Sequence, residues 1–355
     1  MNILFVSSAG HFGGTERWMS MAIKALEQRG HKVWVACPDL PHASQFTSAE
    51  KLLFAVPRSM LDAQGRARLS AAMVGLKIDV VIAVSQRMYF VCGRLARRHS
   101  IPMVLRLGIV RFPWRPVIDW FGYGIWPSAI IVNTKSIKRV LSHAPFVKRN
   151  NIHVIYNGID QTAPRPEPRQ DHRFVITFVG TVSWRKGAGH LITAMSLIPA
   201  DIRRHVVLQI AGAGPGLEHY RARVKKLALQ DCVSFCGHVD NPAALLQHSD
   251  LFALLSNQEG ISNSLLEAMN LAVPCYTTLV GGHGEFIEDT VNAYVARTRN
   301  PKTVAQDLIS IINDPRRVEV GLNGQQTARE KFNSLVMGNA LDSLLQAVVS
   351  KAETK

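Results

Sequence analysis

The chain has 355 residues, enough for two ordinary domains, and its 47% hydrophobic and 19% charged content is that of a packed protein, which excludes a disordered one. No apolar run reaches the roughly 18 residues a membrane-crossing helix needs. The opening Met1-Asn2-Ile3-Leu4-Phe5-Val6 has neither the basic start nor the length of a secretory leader, so a cytosolic protein is expected. The net charge is +15, carried mostly by the first half: residues 1–160 hold 21 Lys and Arg against 8 Asp and Glu, the remainder 20 against 18. A basic half suits an acidic partner, whether nucleic acid, anionic lipid or a phosphorylated glycan. The five cysteines are odd in number and scattered, which argues against a disulfide framework. Cys232 and Cys236 would need two further ligands to hold a metal and are expected to be buried thiols.

In chain order, Ile3–Val6 reads as a strand, followed by a glycine-containing loop and a helix from about Thr15 to Gln28. Met19, Ala22, Ile23 and Leu26 give that helix one apolar face, and Gly30 stops it. Val33–Ala36, Val80–Val84, Met103–Leu105 and Ile130–Asn133 continue the strands. Tyr156-Asn157-Gly158-Ile159-Asp160 is a turn, and the alternating Pro164, Pro166 and Pro168 suit a stiff exposed linker. The second half restarts at Phe174–Val179. A helix at 188–198 and strands at Val206–Ala211, Leu251–Leu255 and Val273–Tyr276 follow, and three helices near 302–313, 316–331 and 335–350 close the chain. Strand–helix alternation implies parallel sheets covered on both faces, and two such doubly wound domains place ligands at the carboxyl ends of their strands. The expected division is 1–160 and 170–334, with the helix of 335–355 packing back on the first domain.

The stretch Ser256–Glu267, S-N-Q-E-G-I-S-N-S-L-L-E, follows an apolar strand and opens a helix. A helix N-terminus offers free N–H groups and positive dipole to a phosphate. Glu259 in the loop and Glu267 one turn into the helix can accept hydrogen bonds from the hydroxyls of a sugar or ribose. The same residues also read as a helix cap with two solvated acids.

Glu259-x7-Glu267, with Gly260 after the first acid and Glu-Ala-Met closing the motif, resembles the signature of retaining GT-B glycosyltransferases of family GT4. Val273-Pro274, Gly281-Gly282-x-x-Glu285, Phe178-Val179-Gly180, Lys186-Gly187, Gly212-x-Gly214-Pro215, Gly13-Gly14 and Asn157-Gly158-Ile159-Asp160 fall in the family's order. The resemblance implies two Rossmann-like domains, an N-terminal one for the acceptor and a C-terminal one for a nucleotide-sugar donor. It implies that Glu259 contacts the transferred sugar and Glu267 the ribose. The amides of Gly260, Ile261, Ser262, Asn263, Ser264 and Leu265 would line sugar and phosphates, and Lys186 would neutralise the diphosphate. Gly13 and Gly14 would admit the phosphates to the first loop. Gly180, Gly212 and Gly214 would line the donor site, and the amide near Val239 would hold the base.

The sequence departs from the family pattern twice. Thr181 stands where the family has Arg, which makes Arg185 the candidate for a second charge; Arg106 stands near the family's first-domain His. His11, in the first loop, is a candidate for acceptor or phosphate contact, and His283 is either a ligand contact or a loop residue. Glu16 reads as a favourable first-turn acid. No Asp-x-Asp occurs, in keeping with a metal-independent enzyme that needs no cofactor beyond its donor. Leu217 breaks a G-x-G-x-x-G at Gly212, which argues against a dinucleotide.

The expected function is retaining transfer of a hexose from a nucleotide diphosphate sugar, UDP-linked, to a glycan or lipid-linked acceptor in lipopolysaccharide or other cell-surface polysaccharide synthesis. The aromatic segment 111–126, with Arg111 and Arg115, suggests peripheral contact with the inner face of the cytoplasmic membrane. Rival readings are a nucleotide-sugar epimerase of the same fold and a basic nucleic-acid or membrane-binding protein. The scattered cations and the lack of a helix-turn-helix, zinc or RNA-recognition motif speak against nucleic acid.

Overall fold

The computed structural model describes residues 1–10, 13–38, 46, 51–59, 62–109, 116–159, 173–239 and 241–354. His11, Arg111, Arg115, Asp160 and the linker prolines lie outside the described residues. The chain forms two compact units, Met1–Gly158 with Ser334–Lys355, and Ile159–Asn333.

The first unit contains strands β1 (Asn2–Val6), β2 (Lys32–Ala36), β3 (Leu52–Leu53), β4 (Val80–Ala83), β5 (Met103–Leu107), β6 (Pro127–Val132) and β7 (Ile152–Val154). Its helices are α1 (Gly14–Glu27), α2 (Ala63–Gly75), α3 (Gln86–Arg98), α4 (Pro116–Asp119), which runs into a π-helical turn at Trp120–Ile125, and α5 (Lys135–Leu141). The strands form one parallel sheet in the order β3-β2-β1-β4-β5-β6-β7. Period-two alternation divides the side chains between two cores. Leu4, Val6, Val81, Leu105 and Val132 face one side with α3, while Ile3, Phe5, Ile82, Val104 and Ile131 face the other with α1. This burial on both faces explains why the strands read as continuous apolar runs.

The second unit contains β8 (Phe174–Val179), β9 (Val206–Ala211), β10 (Val233–Gly237), β11 (Leu251–Leu254), β12 (Cys275–Thr277) and β13 (Tyr294–Val295). With them are α6 (Ala188–Leu197), α7 (Ala200–Arg203), α8 (Leu217–Lys226), α9 (Pro242–Leu246), α10 (Asn263–Asn270), α11 (Pro301–Asn313) and α12 (Arg317–Lys331). Its parallel sheet runs β10-β9-β8-β11-β12-β13. Cys236 is exposed, contrary to the buried thiol expected, because β10 is an edge strand whose alternate residues Ser234 and Cys236 face outward.

The chain then returns to the first unit as α13 (Ser334–Glu353). Met337, Leu341, Leu345 and Val348 form one stripe and join Trp18, Met19, Ala22 and Leu26 of α1 over β1 and β4. Gly338 lets the helices approach, since a Cβ there would meet Ala25 and Arg29. His31 fastens the same contact through Asp342 at 2.8 Å.

Truncating Leu341, fully buried in this stripe, to alanine is expected to lower stability by about 2–5 kcal/mol in urea unfolding. Leu335→Ala, at a position 60% exposed on the same helix, is expected to change it by less than about 0.5 kcal/mol. Equal effects would show that α13 is not part of the core.

Candidate functional site

In the second unit the strand order reverses at β8, with β9 on one side and β11 on the other. The loops leaving β8 and β11 therefore diverge and open a crevice at their carboxyl ends. The β8 loop runs through the short turn Trp184–Lys186 to Gly187, whose φ is +82°. A Cβ at Gly187 would collide with the Leu255 carbonyl, so glycine is what lets this loop lie against the end of β11. Lys186 is thereby delivered to Glu259.

Glu259 is 5% exposed. Its Oε1 accepts from Ser256 Oγ at 2.7 Å and lies 2.6 Å from Lys186 Nζ, while its Oε2 is 3.6 Å from Arg185 Nη1. The same Arg185 guanidinium donates to the Gln258 carbonyl at 2.9 Å. Burial pushes the Glu259 carboxyl up, but Lys186, Ser256 and Arg185 outweigh it and hold it below the usual carboxylate range. Glu259 is therefore ionised at neutral pH, and two cations converge on it. Thr181 is exposed and brings no charge, so Arg185 supplies the second cation from the far end of the loop.

The loop after β12 supports this arrangement from beneath. Thr278 Oγ1 donates to the Ser256 carbonyl at 2.8 Å, and the Gly282 amide donates to the Gly260 carbonyl at 2.7 Å. Gly281 has φ +60°, and a Cβ there would strike the Glu259 carbonyl. His283 is fully buried: its Nδ1 donates to the Thr278 carbonyl at 3.0 Å and its Nε2 accepts from the Ser262 amide at 3.4 Å. Burial pushes its pKa down, and the two bonds select the neutral Nδ1–H tautomer. His283, read from the sequence as a ligand contact or a loop residue, has an internal role that neither reading named: the ring orients the Ser262 amide at the start of α10.

Ser262 is the N-cap residue of α10 and makes no side-chain cap bond. Ser264 donates its hydroxyl to the Val179 carbonyl at 2.9 Å, joining α10 to the end of β8. Gly260, Ile261, Ser262 and Leu265 are buried; Asn263, Ser264 and Glu267 are half-buried, with Glu267 one turn into the helix. Gly180, Gly212, Gly214 and Val239 lie on the adjoining row of loops after β8, β9 and β10. The Gly180 amide donates to the Ala211 carbonyl at 3.0 Å and the Gly212 amide to the Gly237 carbonyl at 2.6 Å.

In the first unit the order reverses between β1 and β4. The loops after these strands meet where the Ser8 amide donates to Ser85 Oγ at 3.0 Å. Gly13 is half-buried and donates its amide to Glu16 Oε2 at 3.1 Å, which makes Glu16 the first-turn acid expected; Gly14 is exposed. Arg106, the candidate acceptor residue, is only 3% exposed. Its guanidinium lies 4.5 Å from the centre of the Trp18 ring and donates to Asn157 Oδ1 at 3.2 Å and Thr15 Oγ1 at 3.5 Å. Burial lowers its pKa to about 10, which leaves it charged at neutral pH. Arg106 therefore ties β5 to α1 from inside the unit, and its burial does not favour a direct acceptor contact.

Two family models cover almost the whole chain: Glycosyltransferase Family 4 matches residues 12–163 and Glycosyl transferases group 1 matches residues 160–327. The chain belongs to the GT4-type glycosyltransferases. This GT4-type chain is 36% identical over 128 residues to N-acetyl-alpha-D-glucosaminyl L-malate synthase of Bacillus anthracis, covering 36% of this chain and 34% of that protein. It is 24% identical over 240 residues to the capsular polysaccharide biosynthesis glycosyltransferase CapM of Staphylococcus aureus, covering 64% of this chain and 63% of that protein. The matches thus span between a third and two thirds of these relatives' lengths. HepE of Anabaena, crystallised with UDP-glucose, superposes with a TM-score of 0.86 at 20% identity, covering 98% of this chain and 100% of that one. The fold is GT-B.

The roles of Ser256, Thr278 and His283 inside the site are not marked by any motif in the sequence. Ser256 had a signal, since it directly follows the apolar run Leu251–Leu255. The roles of Thr278 and His283 depend on how β12 pairs with β11, which no local pattern encodes.

Because the folded chain resists protonating His283, the unfolded chain binds the extra proton below the ordinary value of 6.5. The stability that the neutral ring contributes is complete above that value and declines as pH falls below it, towards the lower folded-state pKa. Urea unfolding across this range is expected to show a shallower acid decline in His283→Gln than in the wild type. An unchanged slope would remove this histidine from the account.

Proposed function

We propose that the chain is a retaining, metal-independent hexosyltransferase that takes its sugar from a UDP-sugar. The observation that supports this reading is the convergence of Lys186, Arg185 and Glu259 at the strand-order reversal of the second unit. A departing nucleoside diphosphate gains negative charge as the glycosidic bond breaks, and fixed cations in a dry site stabilise that charge most effectively. Lys186 and Arg185 are already held in place by Glu259, so little reorganisation accompanies the reaction. Glu259, kept ionised, accepts hydrogen bonds from the sugar hydroxyls and sets the face presented to the acceptor. Glu267 holds the ribose, and the Gly260–Leu265 backbone cradles sugar and phosphates. The acceptor hydroxyl attacks from the face the phosphate leaves, and a phosphate oxygen takes its proton, so no protein nucleophile is required.

The acceptor in this reading is a glycan or lipid-linked glycan of cell-surface polysaccharide synthesis, in keeping with the likeness to CapM. No helix of the described residues is long and apolar enough to cross a membrane. Contact with an anionic bilayer is supported by the basic first half and by Val117, Trp120 and Ile125, which are 65%, 51% and 41% exposed around the α4 turn. Trp120→Ala is expected to reduce sedimentation with anionic liposomes at low salt. Wild-type protein that stays in the supernatant would end the membrane part of the reading.

The donor reading is tested by thermal shift with a panel of nucleoside diphosphates and by turnover of UDP-sugars. UDP at 100 times its dissociation constant is expected to stabilise the wild type by about 2.7 kcal/mol, and Glu267→Ala to respond much less. Lys186→Ala is expected to lower kcat by about 100-fold or more. Conversion of the donor to its epimer without transfer would favour the epimerase, and salt-dependent nucleic-acid binding with no nucleotide response would favour the binding protein.

A further inference from the structure

A cavity of about 250 Å³ lies in the second unit among α6, α8 and the residues before α11, lined by Trp184, His190, Thr193, Tyr220, Arg223 and Arg299. Trp184 and Tyr220 also wall an adjoining hollow of about 300 Å³. The indole of Trp184 is 68% exposed and lies within 11° of parallel to the Tyr220 ring, with centroids 6.2 Å apart. Gly189 permits this packing, because a Cβ there would meet the Tyr220 ring. An exposed tryptophan held flat by a second ring is a fixed apolar platform, and the negative face of its π-system attracts the slightly positive C–H bonds of a sugar ring.

The opposite character comes from Arg223 and Arg299. Among the described residues neither guanidinium is paired with a carboxylate: Glu218, on the same helix as Arg223, pairs with Arg221 at 2.9 Å. Among the described residues Arg299 Nη1 is buried with no hydrogen-bond partner. A buried, unsatisfied charged donor is rare in a native structure and calls for an acceptor. His190, on α6, lines the cavity beside Arg299. The cavity is smaller than the roughly 300–1,000 Å³ of drug-sized sites and suits a single ring bearing one acidic group.

We propose that this cavity binds a phosphorylated monosaccharide, its phosphate between Arg223 and Arg299 and its ring against Trp184. The site is separate from the Lys186–Glu259 cluster but linked to it, because Trp184 begins the turn that ends in Lys186. A ligand packed on Trp184 restrains that turn, so occupancy is expected to change how firmly Lys186 is held.

The test is calorimetric titration with glucose 6-phosphate, inorganic phosphate and glucose, with UDP titrated separately. Wild type and Lys186→Ala are both expected to bind glucose 6-phosphate. The Arg223→Gln/Arg299→Gln double variant is expected to bind it about tenfold or more weakly while keeping its affinity for UDP, which also shows that it is folded. Trp184→Ala is expected to weaken glucose 6-phosphate and leave inorganic phosphate unchanged. No binding of glucose 6-phosphate, binding lost in Lys186→Ala but kept in the double variant, or binding of phosphate and sugar phosphate that is equal and indifferent to Trp184→Ala would each overturn the proposal. Since UDP is measured independently, this site and the donor site can fail separately.

Discussion

A carboxylate removed from water must find its compensation in the protein, and Glu259 finds it in Lys186, Ser256 and Arg185. That requirement organises the second unit around its crevice. To bring Lys186 within reach, the β8 loop must lie on the end of β11, which needs Gly187. To keep Glu259 in place, its own backbone must pass close to the β12 loop, which needs Gly281. The ring of His283 then fixes the amide at which α10 begins. A set of apparently separate motifs is thus one mechanical assembly whose parts meet at a single charged group.

In the proposed function such an assembly keeps the cations ready for an anion. A free lysine in a loop samples many rotamers and carries a shell of water, both of which must be given up when an anion arrives. Lys186 has surrendered both already, to Glu259. In the proposed function the carboxylate is both a placeholder for negative charge and a polar contact for the sugar, and these roles are compatible because its two oxygens have different neighbours.

Much of this was legible in the sequence. Phe174–Val179 and Val206–Ala211 were delimited to the residue because strands buried on both faces stand out as unbroken apolar runs. The α1 stripe was equally clear. Helix α8 leaves little signal in the sequence because it is largely exposed, with only Tyr220 and Val224 buried. Helix α2 buries little more than Gly65, Leu69 and Met73 and so shows hardly any periodic face. At the site, Glu259 and Lys186 could be named from their motifs, but that they form one ion pair could not, since 73 positions separate them and only strand order brings them together. The sequence pattern puts Arg106 just past a strand ending at Leu105, whereas it lies within β5, and its burial on Trp18 rests on a cation–π contact that leaves no trace in spacing.

The path of the chain has a further consequence. Residues Ile159–Asn333 form a complete unit interposed within another, and its two ends are stitched side by side where the Ile159 amide donates to the Phe332 carbonyl at 2.7 Å. During synthesis the interposed unit has all its strands and helices before the surrounding one does. The sheet that begins at Asn2 keeps part of one face uncovered, with Ile3 and Phe5 beneath the empty place of Leu341 and Leu345, until α13 has been made. The strands made before the interposed unit thus belong to a unit that is finished after it. Through that interval its exposed apolar strip is a point where a chaperone, or aggregation, can compete with folding.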